Sequence, residues 1–185
     1  GMAHVPEDRH ETGSAPGLSI ADNLIMKSYR SRTLGGRFQL NRRAARKQAQ
    51  ALKTDYAVDA PSLDTQARLL SGGNLQRLIL AREITSQPKL IVAVQPTRGL
   101  DVGAIETVHR LLLQQRDAGA AILLISEELD ELVSLSDRIQ VIYEGRISGE
   151  IEPEVMTEIA EIGMLMTSGS PSGGTTHGGT TADAA

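Results

Sequence analysis

The chain has 185 residues, with 19 Lys or Arg, 23 Asp or Glu and a formal net charge of −4 at pH 7. This weakly acidic composition argues against a general nucleic-acid or membrane-surface binder, which carries a basic excess. Cysteine is absent, which excludes a disulfide scaffold, a thiolate zinc site and a cysteine nucleophile. Apolar residues make up 40% and aromatic residues only 2%, so we expect an aliphatic core. No apolar run approaches the ~20 residues that a membrane span needs.

The two ends are expected to stand apart from the folded part. Gly1 before Met2 is typical of a cleavage scar. From Thr167 onward the sequence is mostly Gly, Ser, Thr and Ala, which cannot bury enough apolar surface to offset the entropy cost of ordering. The segments that we expect are a scar with a loop region, a helical subdomain, an α/β core, a C-terminal helix and a disordered tail: 1–17, 18–70, 71–152, 153–166 and 167–185.

The first half of the chain is predicted to be a loop followed by helices. Residues 3–18 contain several Pro and Gly residues, which interrupt regular secondary structure, and are expected to be loop-like. Ser19 is a candidate cap for a helix over Ile20–Met26, and Asn41 for a helix through about Thr54. A loop is expected from Asp59 to Leu70.

The second half alternates short apolar runs with helical segments. The predicted strands are Leu90–Val94, Ala121–Ile125, Arg138–Tyr143 and Arg146–Ile151. The predicted helices follow Ser71, run from Asp101 to about Arg116, and cover Glu127–Val133. Continuous apolar runs separated by helices predict a parallel sheet, and the Glu144-Gly145 turn predicts an antiparallel hairpin at its end. The fold class is therefore α/β with a helical insert.

A glycine pair at a helix start is the most informative feature. Ser71 is a favoured N-cap, but Gly72 and Gly73 each cost about 1 kcal/mol relative to Ala inside a helix. Bare backbone at the positive end of a helix dipole favours phosphate binding. A tight packing contact at the glycines is the alternative explanation.

Several motifs in register resemble ABC-type ATPases. The run 70–76 resembles the signature motif of that family, and 95–101 resembles the end of Walker B and the D-loop. The segments 5–9 and 102–104 are similar to the second ATPase half of tandem importers for simple sugars or nucleosides. The resemblance covers about residues 3–152. It implies a partial ABC ATPase domain that begins near the Q-loop, with the P-loop upstream.

The resemblance also assigns positions. It implies that the signature residues contact the ATP held by another ATPase half; these are Ser71, Gly72, Gly73, Asn74 and Gln76. The D-loop positions are Gly99, Leu100 and Asp101, although Asp101 is equally consistent with an ordinary N-cap. The Q-loop glutamine position is Glu7.

Three departures from the family pattern predict a degenerate site on this half. Val94 stands at the Walker B aspartate position, Gln95 at the general-base position and Glu127 at the switch-histidine position. An amide orients water but cannot take a proton as a carboxylate does. A structural alternative exists for each residue, since Val94 ends a strand and Glu127 is a favourable acid after the candidate cap Ser126. The four histidines have no metal-ligand spacing, so no protein-held metal is expected.

A basic stretch precedes these motifs, with nine Lys or Arg between Lys27 and Lys53 and no acid among them. Only Tyr29 and Phe38 interleave the charges, so a stacking platform for nucleic acid is not expected. Two meanings stay open. One is a solvated helix face, and the other, which the resemblance implies, is docking on cytoplasmic loops of membrane permease subunits.

The resemblance implies the ATP-binding component of a sugar or nucleoside importer, peripheral at the cytoplasmic face of the inner or plasma membrane. ATP with Mg²⁺ would be its cofactor in the full assembly. Its partners would be another ATPase half, the permease and, indirectly, a solute-binding protein. The isolated fragment is expected to lack ATPase activity, and its open sheet edge favours a homodimer. The alternatives are a non-transport ABC protein acting on nucleic acid or the ribosome, and a scaffold half without nucleotide handling.

Overall fold

The computed structural model describes residues 1–35, 39–153 and 159–168. The chain forms two compact units, Gly1–Glu127 and Glu128–Ala185. The described part of the chain contains helices in both units, a parallel sheet in the first and an antiparallel hairpin in the second. The predicted α/β class is therefore confirmed.

The sheet of the first unit has three parallel strands in the order β1-β2-β3. They are β1 (Met2–Val5), β2 (Leu90–Val94) and β3 (Ala121–Ile125), with Met2 opposite Leu90 and Leu90 opposite Ala121. β2 and β3 match their predicted bounds. The expectation of a loop from residue 3 was wrong at its beginning, because Ala3 and Val5 are buried and belong to β1.

The described residues of the first unit form four α-helices: α1 (Ile20–Ile25), α2 (Arg42–Asp55), α3 (Gly72–Ile84) and α4 (Val102–Asp117). Each begins directly after a residue whose side chain accepts a backbone N–H of the first turn; the caps are Ser19, Asn41, Ser71 and Asp101. Short 3-10 helices lie at Arg32–Leu34 and Ala67–Leu69. The second of these interrupts the loop predicted over 59–70.

The core of the first unit is aliphatic, as the composition predicts. Helix α3 lies at its centre, with its largest apolar side chains inaccessible to solvent: Leu75, Leu78, Ile79 and Leu80. Buried residues of α1, α2, α4 and the sheet pack in the same cluster. Because α3 is enclosed, its N-terminus has a fixed position against α4.

The second unit contains α5 (Leu129–Leu135), β4 (Ile139–Tyr143), β5 (Arg146–Ile151) and α6 (Ile159–Ser168). Strands β4 and β5 form a two-stranded antiparallel sheet of their own. Glu144 and Gly145 turn between them with φ angles of 47° and 75°. This left-handed pair is typical of the predicted tight hairpin. A small core packs α6 on the hairpin; its members are Ile139, Val141, Ile162 and Leu165.

Two boundary predictions in this unit were wrong. Helix α5 begins and ends two residues later than predicted and has Glu128, not Ser126, at the N-cap position. The predicted tail begins too early, since Thr167 and Ser168 are the last residues of α6. The remainder of the predicted tail, 169–185, lies outside the described residues. None of the described helices is both long and apolar enough to cross a bilayer.

Candidate functional site

The N-terminus of α3 presents hydrogen-bond donors. The Ser71 Oγ accepts from the Asn74 backbone N–H at 3.4 Å and from its Nδ2 at 3.1 Å, so the hydroxyl proton stays available for donation. Gly72 and Gly73 are the first two helical residues, whose N–H groups have no intrahelical acceptor. Ser71 is exposed, and the two glycines are half-buried. Such an arrangement suits an anion with several oxygens.

The two glycines differ in what surrounds them. A Cβ atom added at Gly73 would lie 3.0 Å from the Cβ of Ala104 on α4, which is tighter than an ordinary contact. A Cβ at Gly72 would meet nothing closer than the Leu100 Cδ2 at 3.6 Å. Close helix packing therefore explains the absence of a side chain at Gly73. Packing does not explain the glycine at Gly72.

The other two predicted signature contacts are engaged inside the protein. The Asn74 Oδ1 accepts from the Asp59 N–H at 2.8 Å, which attaches the preceding loop to α3. Gln76 is inaccessible to solvent, and its Oε1 accepts from the Arg9 Nε at 2.9 Å. Its Nε2 has no hydrogen-bond partner within the described ranges. In this arrangement both side chains position α3.

The predicted D-loop lies beside the signature glycines. Gly99 has a φ of 67° and is the third residue of a turn in which the Leu100 N–H donates to the Thr97 carbonyl. Asp101 accepts from the Ala104 N–H at 2.9 Å and so acts as the N-cap of α4. The Leu100 contact with Gly72 thus brings two motifs together that are about thirty residues apart in sequence.

The predicted degenerate positions meet at the carboxyl ends of β2 and β3. Gln95 follows β2 and is only 7% exposed, and its N–H donates to the Ile125 carbonyl at 2.7 Å. Its Oε1 accepts from the Glu127 N–H at 3.4 Å. The φ of Gln95 is 47°, a conformation that costs a non-glycine residue about 1–2 kcal/mol. Val94, half-buried at the end of β2, has no polar atom on its side chain.

Glu7 forms an ion pair that the sequence analysis did not foresee. Its carboxylate contacts the guanidinium of Arg98, which lies just before Gly99. Both side chains are about half exposed. The negative charge at the predicted Q-loop position is therefore neutralised by a residue next to the D-loop.

Arg9 is the functional candidate that the sequence analysis missed. Besides its bond to Gln76, its Nη2 donates to the Arg98 carbonyl at 2.5 Å. Burial lowers the pKa of the Arg9 guanidinium from its ordinary value. The sequence signal was its place in the 5–9 segment that carries the resemblance, but nothing local shows which distant groups an arginine will contact.

Carboxylates and imidazoles do not cluster near these motifs. Within 1–35, 39–153 and 159–168, no three His, Cys, Asp or Glu side chains are placed to hold a metal ion. In the basic stretch, the cationic side chains on the first half of α2 are exposed: Arg42, Arg43, Arg46 and Lys47. Their exposure is compatible with both a solvated face and a docking surface.

Curated relatives match nearly the whole chain. The guanosine import ATP-binding protein NupO of Bacillus subtilis is 48% identical over 166 residues, which cover 90% of this chain and 32% of the relative. The glucose import ATP-binding protein TsgD13 of Haloferax volcanii is 47% identical, with 91% and 31% covered. The ribose import ATP-binding protein RbsA 2 of Rhizobium meliloti is 41% identical, with 91% and 32% covered. The chain is a homologue of import ATP-binding proteins. It spans about one third of their length.

Solved structures agree on the fold. A dimeric post-hydrolysis state of the ATP-binding cassette MJ0796, bound to ADP and Pi, matches with a TM-score of 0.66 at 21% identity over 82% of this chain and 62% of that one. The ATP-binding cassette MJ1267 matches with a TM-score of 0.65 at 18% identity, over 91% and 65%. No protein-family model matches the chain. This homologue of the import proteins therefore has the ATP-binding-cassette fold that its motifs predict.

Proposed function

We propose that this chain is part of the ATP-binding component of a sugar or nucleoside importer. In this proposal it lies at the cytoplasmic face of the membrane and supplies its signature motif to an ATP that another ATPase half holds. The names of the import relatives favour transport over the alternative action on nucleic acid or the ribosome.

The observation that carries the proposal is the donor set at the start of α3. Helix ends leave their first N–H groups without partners, and the helix dipole adds positive potential there. The N–H groups of Gly72 and Gly73 and the hydroxyl of Ser71 are donors only a residue or two apart along the chain. Donors that are fixed before the reaction stabilise phosphoryl charge without reorganisation. The terminal phosphate of ATP fits this chemistry.

The chain's own site is proposed to be impaired. Val94 provides no oxygen for a magnesium-bound water, and Gln95 cannot accept a proton. The Gln95 side chain is also occupied by the Glu127 N–H. The carboxylate of Glu127 would repel a phosphate that an imidazole would attract. Mg²⁺ would therefore enter the productive site with ATP and the partner half.

Partners follow from the same proposal. Besides a second ATPase half, they are permease subunits in the membrane and, through them, a solute-binding protein. The exposed basic face of α2 is the surface proposed to dock on the permease.

Substitution of Ser71 by Arg in the complete ATP-binding protein tests the function. Arginine lacks the Ser71 hydroxyl donor, and its longer side chain fills the space where the phosphate would lie. Because removal of one such donor costs about 10²–10³ in turnover, we expect ATP hydrolysis by the assembled importer to fall by about 100-fold or more.

The matched control is Ser19→Arg. Ser19 is also an N-cap, whose Oγ accepts from the Asp22 N–H at 3.1 Å, so both variants lose a helix cap. Only Ser71 lies at the proposed site, and Ser19→Arg should keep hydrolysis within about threefold of wild type because a lost cap costs only ~1 kcal/mol of stability. Near-normal hydrolysis by Ser71→Arg would contradict the proposal, including its assignment of the working site to the partner half.

A further inference from the structure

One guanidinium joins the three segments that carry the ABC-like motifs. Arg9 lies in the segment after β1, two residues from Glu7. Its Nε donates to Gln76 on α3 at 2.9 Å, and its Nη2 donates to the carbonyl of Arg98 at 2.5 Å. These partners are 67 and 89 residues away in sequence. A shift of any one segment would break a bond to another.

The remaining nitrogen of this guanidinium lies next to the signature glycines. A Cβ atom built at Gly72 would be 3.9 Å from the Arg9 Nη1. The Arg9 charge is therefore close to the donors that are proposed to face the phosphate. Its other two nitrogens donate to Gln76 and to the Arg98 carbonyl, so the fork makes two hydrogen bonds and lies near the start of α3.

The chemistry of the contacts favours arginine over lysine. A guanidinium is planar and presents several N–H donors in fixed directions, whereas an ammonium is a point charge on a flexible stem. Gln76 is fully buried, and Arg9 is half-buried. A lysine would keep the charge but would lack the two donor nitrogens at fixed spacing that Arg9 uses for these acceptors.

A second link supports the first. Glu7 pairs with Arg98, so the segment after β1 holds the residue before the D-loop both through a side chain and through a carbonyl. The pair is half exposed and contributes little energy by itself. With the Arg9 bonds it restricts the direction in which residues 98–100 leave β2.

We propose that Arg9 is a positioning residue that sets the signature donors and the D-loop relative to the segment around Glu7. The inference rests on the proposed function, because its effect on turnover requires that Ser71, Gly72 and Gly73 face a phosphate. Arg9 itself is not placed on the nucleotide. Its effect comes through Gln76 and the Arg98 carbonyl.

The test compares Arg9→Lys with Arg68→Lys in the complete ATP-binding protein assembled with its partners. Arg68 is an exposed arginine whose Nε also donates to a glutamine Oε1, that of Gln66, at 2.8 Å. Both variants keep the charge and lose one arginine–glutamine bond. A displacement of ~1 Å in a catalytic constellation costs up to about 100-fold in rate. We therefore expect Arg9→Lys to lower kcat for ATP by about tenfold or more, and Arg68→Lys to leave it unchanged.

Two further readouts distinguish positioning from a general loss of structure. Hydrogen–deuterium exchange should become faster in segment 96–101 of Arg9→Lys, at an unchanged Tm. In a double-mutant cycle with Gln76→Met, the losses in kcat should not add, because both variants break the same bond. A kcat equal to that of Arg68→Lys, additive losses or unchanged exchange would each overturn the inference. Ser71→Arg separates the two proposals: if it abolishes hydrolysis while Arg9→Lys does not impair it, only the positioning role fails.

Discussion

The two signature glycines show how far the residue type alone predicts an anion-binding role. In the sequence, Gly72 and Gly73 are equivalent, and either phosphate approach or tight packing would explain both. In the folded chain, Gly73 lies against Ala104 and has a packing reason, whereas Gly72 has only ordinary contacts. Gly72 is therefore the glycine whose bare backbone points more directly to an anion.

Alanine at each glycine should separate the two cases. Gly73→Ala places a methyl group 3.0 Å from the Ala104 Cβ on the neighbouring helix α4, and we expect it to lower the free energy of unfolding by about 1–3 kcal/mol. Gly72→Ala should change it by less than about 1 kcal/mol, because the contact is ordinary and alanine favours helix. Urea unfolding of the two variants measures the difference. An equal loss in both would show that the contact with α4 does not limit the residue at position 73.

Gln95 shows a limit of residue-level prediction. Its identity predicts that it cannot act as a base, and that chemistry needs no structure. Its left-handed backbone and its bond to the Glu127 N–H come from the parallel pairing of β2 with β3. Backbone strain at the end of a strand is often associated with function, but the Gln95 side chain also has a structural partner, the Glu127 N–H.

At the level of elements, helix starts were predictable because capping is local. Each capping side chain accepts a hydrogen bond from the backbone N–H three residues later in the sequence; the caps are Ser19, Asn41, Ser71 and Asp101. The predicted start of α5 was wrong because Ser126 is the favoured cap residue in this stretch, whereas the helix begins after Glu128, whose side chain makes no capping hydrogen bond. Strand β1 was missed because its four residues depend on pairing with β2, about 88 residues away.

A surface ion pair connects α2 to the loop that follows it. The Arg46 guanidinium donates to both oxygens of Asp64, at 2.8 and 2.7 Å. The hydrogen bonds from Arg46 hold the pKa of the Asp64 carboxyl below its ordinary value of 3.8. Both side chains are exposed, so the pair is accessible to salt and contributes modestly.

Asp64→Asn should reveal this pair through pH and salt. A carboxyl with a lowered folded-state pKa stabilises the fold above its ordinary pKa, and that contribution is lost as the pH falls through the folded value. We expect wild type to exceed the variant slightly in Tm at neutral pH, and the difference to vanish once the pH falls below the folded-state pKa of Asp64 or in about 1 M NaCl. Thermal unfolding, with Asp59→Asn from the same loop as control, measures it. A difference that persists in acid would assign the effect to packing of the side chain instead of its charge.

At the scale of the first unit, a buried carboxylate connects distant parts of the chain. Glu83 on α3 is 1% exposed, and its Oε2 accepts from the His4 N–H of β1 at 3.2 Å. Its Oε1 pairs with Arg82 at 2.9 Å, and Lys27, just after α1, contacts Oε2. Arg82 in turn donates to the Gly13 carbonyl at 2.8 Å. No sequence pattern predicts this cluster, because its members are up to 79 residues apart in sequence.

The cluster fixes the strand, the segment that carries Arg9 and the end of α1 onto one face of α3. Sequence reasoning located the motifs along the chain and predicted most of the elements. It could not predict which side chains tie them together, because such contacts depend on the three-dimensional path. The glycine pair was visible from sequence for the opposite reason, since a helix start and its donors are adjacent residues.

Removal of the buried carboxylate should destabilise the whole unit. In Glu83→Ala the Arg82 cation, only 6% exposed, would stay buried without its anion, and the His4 N–H would lose its acceptor. Breaking a buried pair in this way costs about 3–5 kcal/mol. Lys27→Met is the comparison, because Lys27 is 47% exposed and its cation can be replaced by solvent, for a cost under about 1 kcal/mol. Chemical unfolding should therefore rank Glu83→Ala far below Lys27→Met. Equal midpoints for the two variants would mean that the Glu83–Arg82 pair does not support the packing of β1 and α1 on α3.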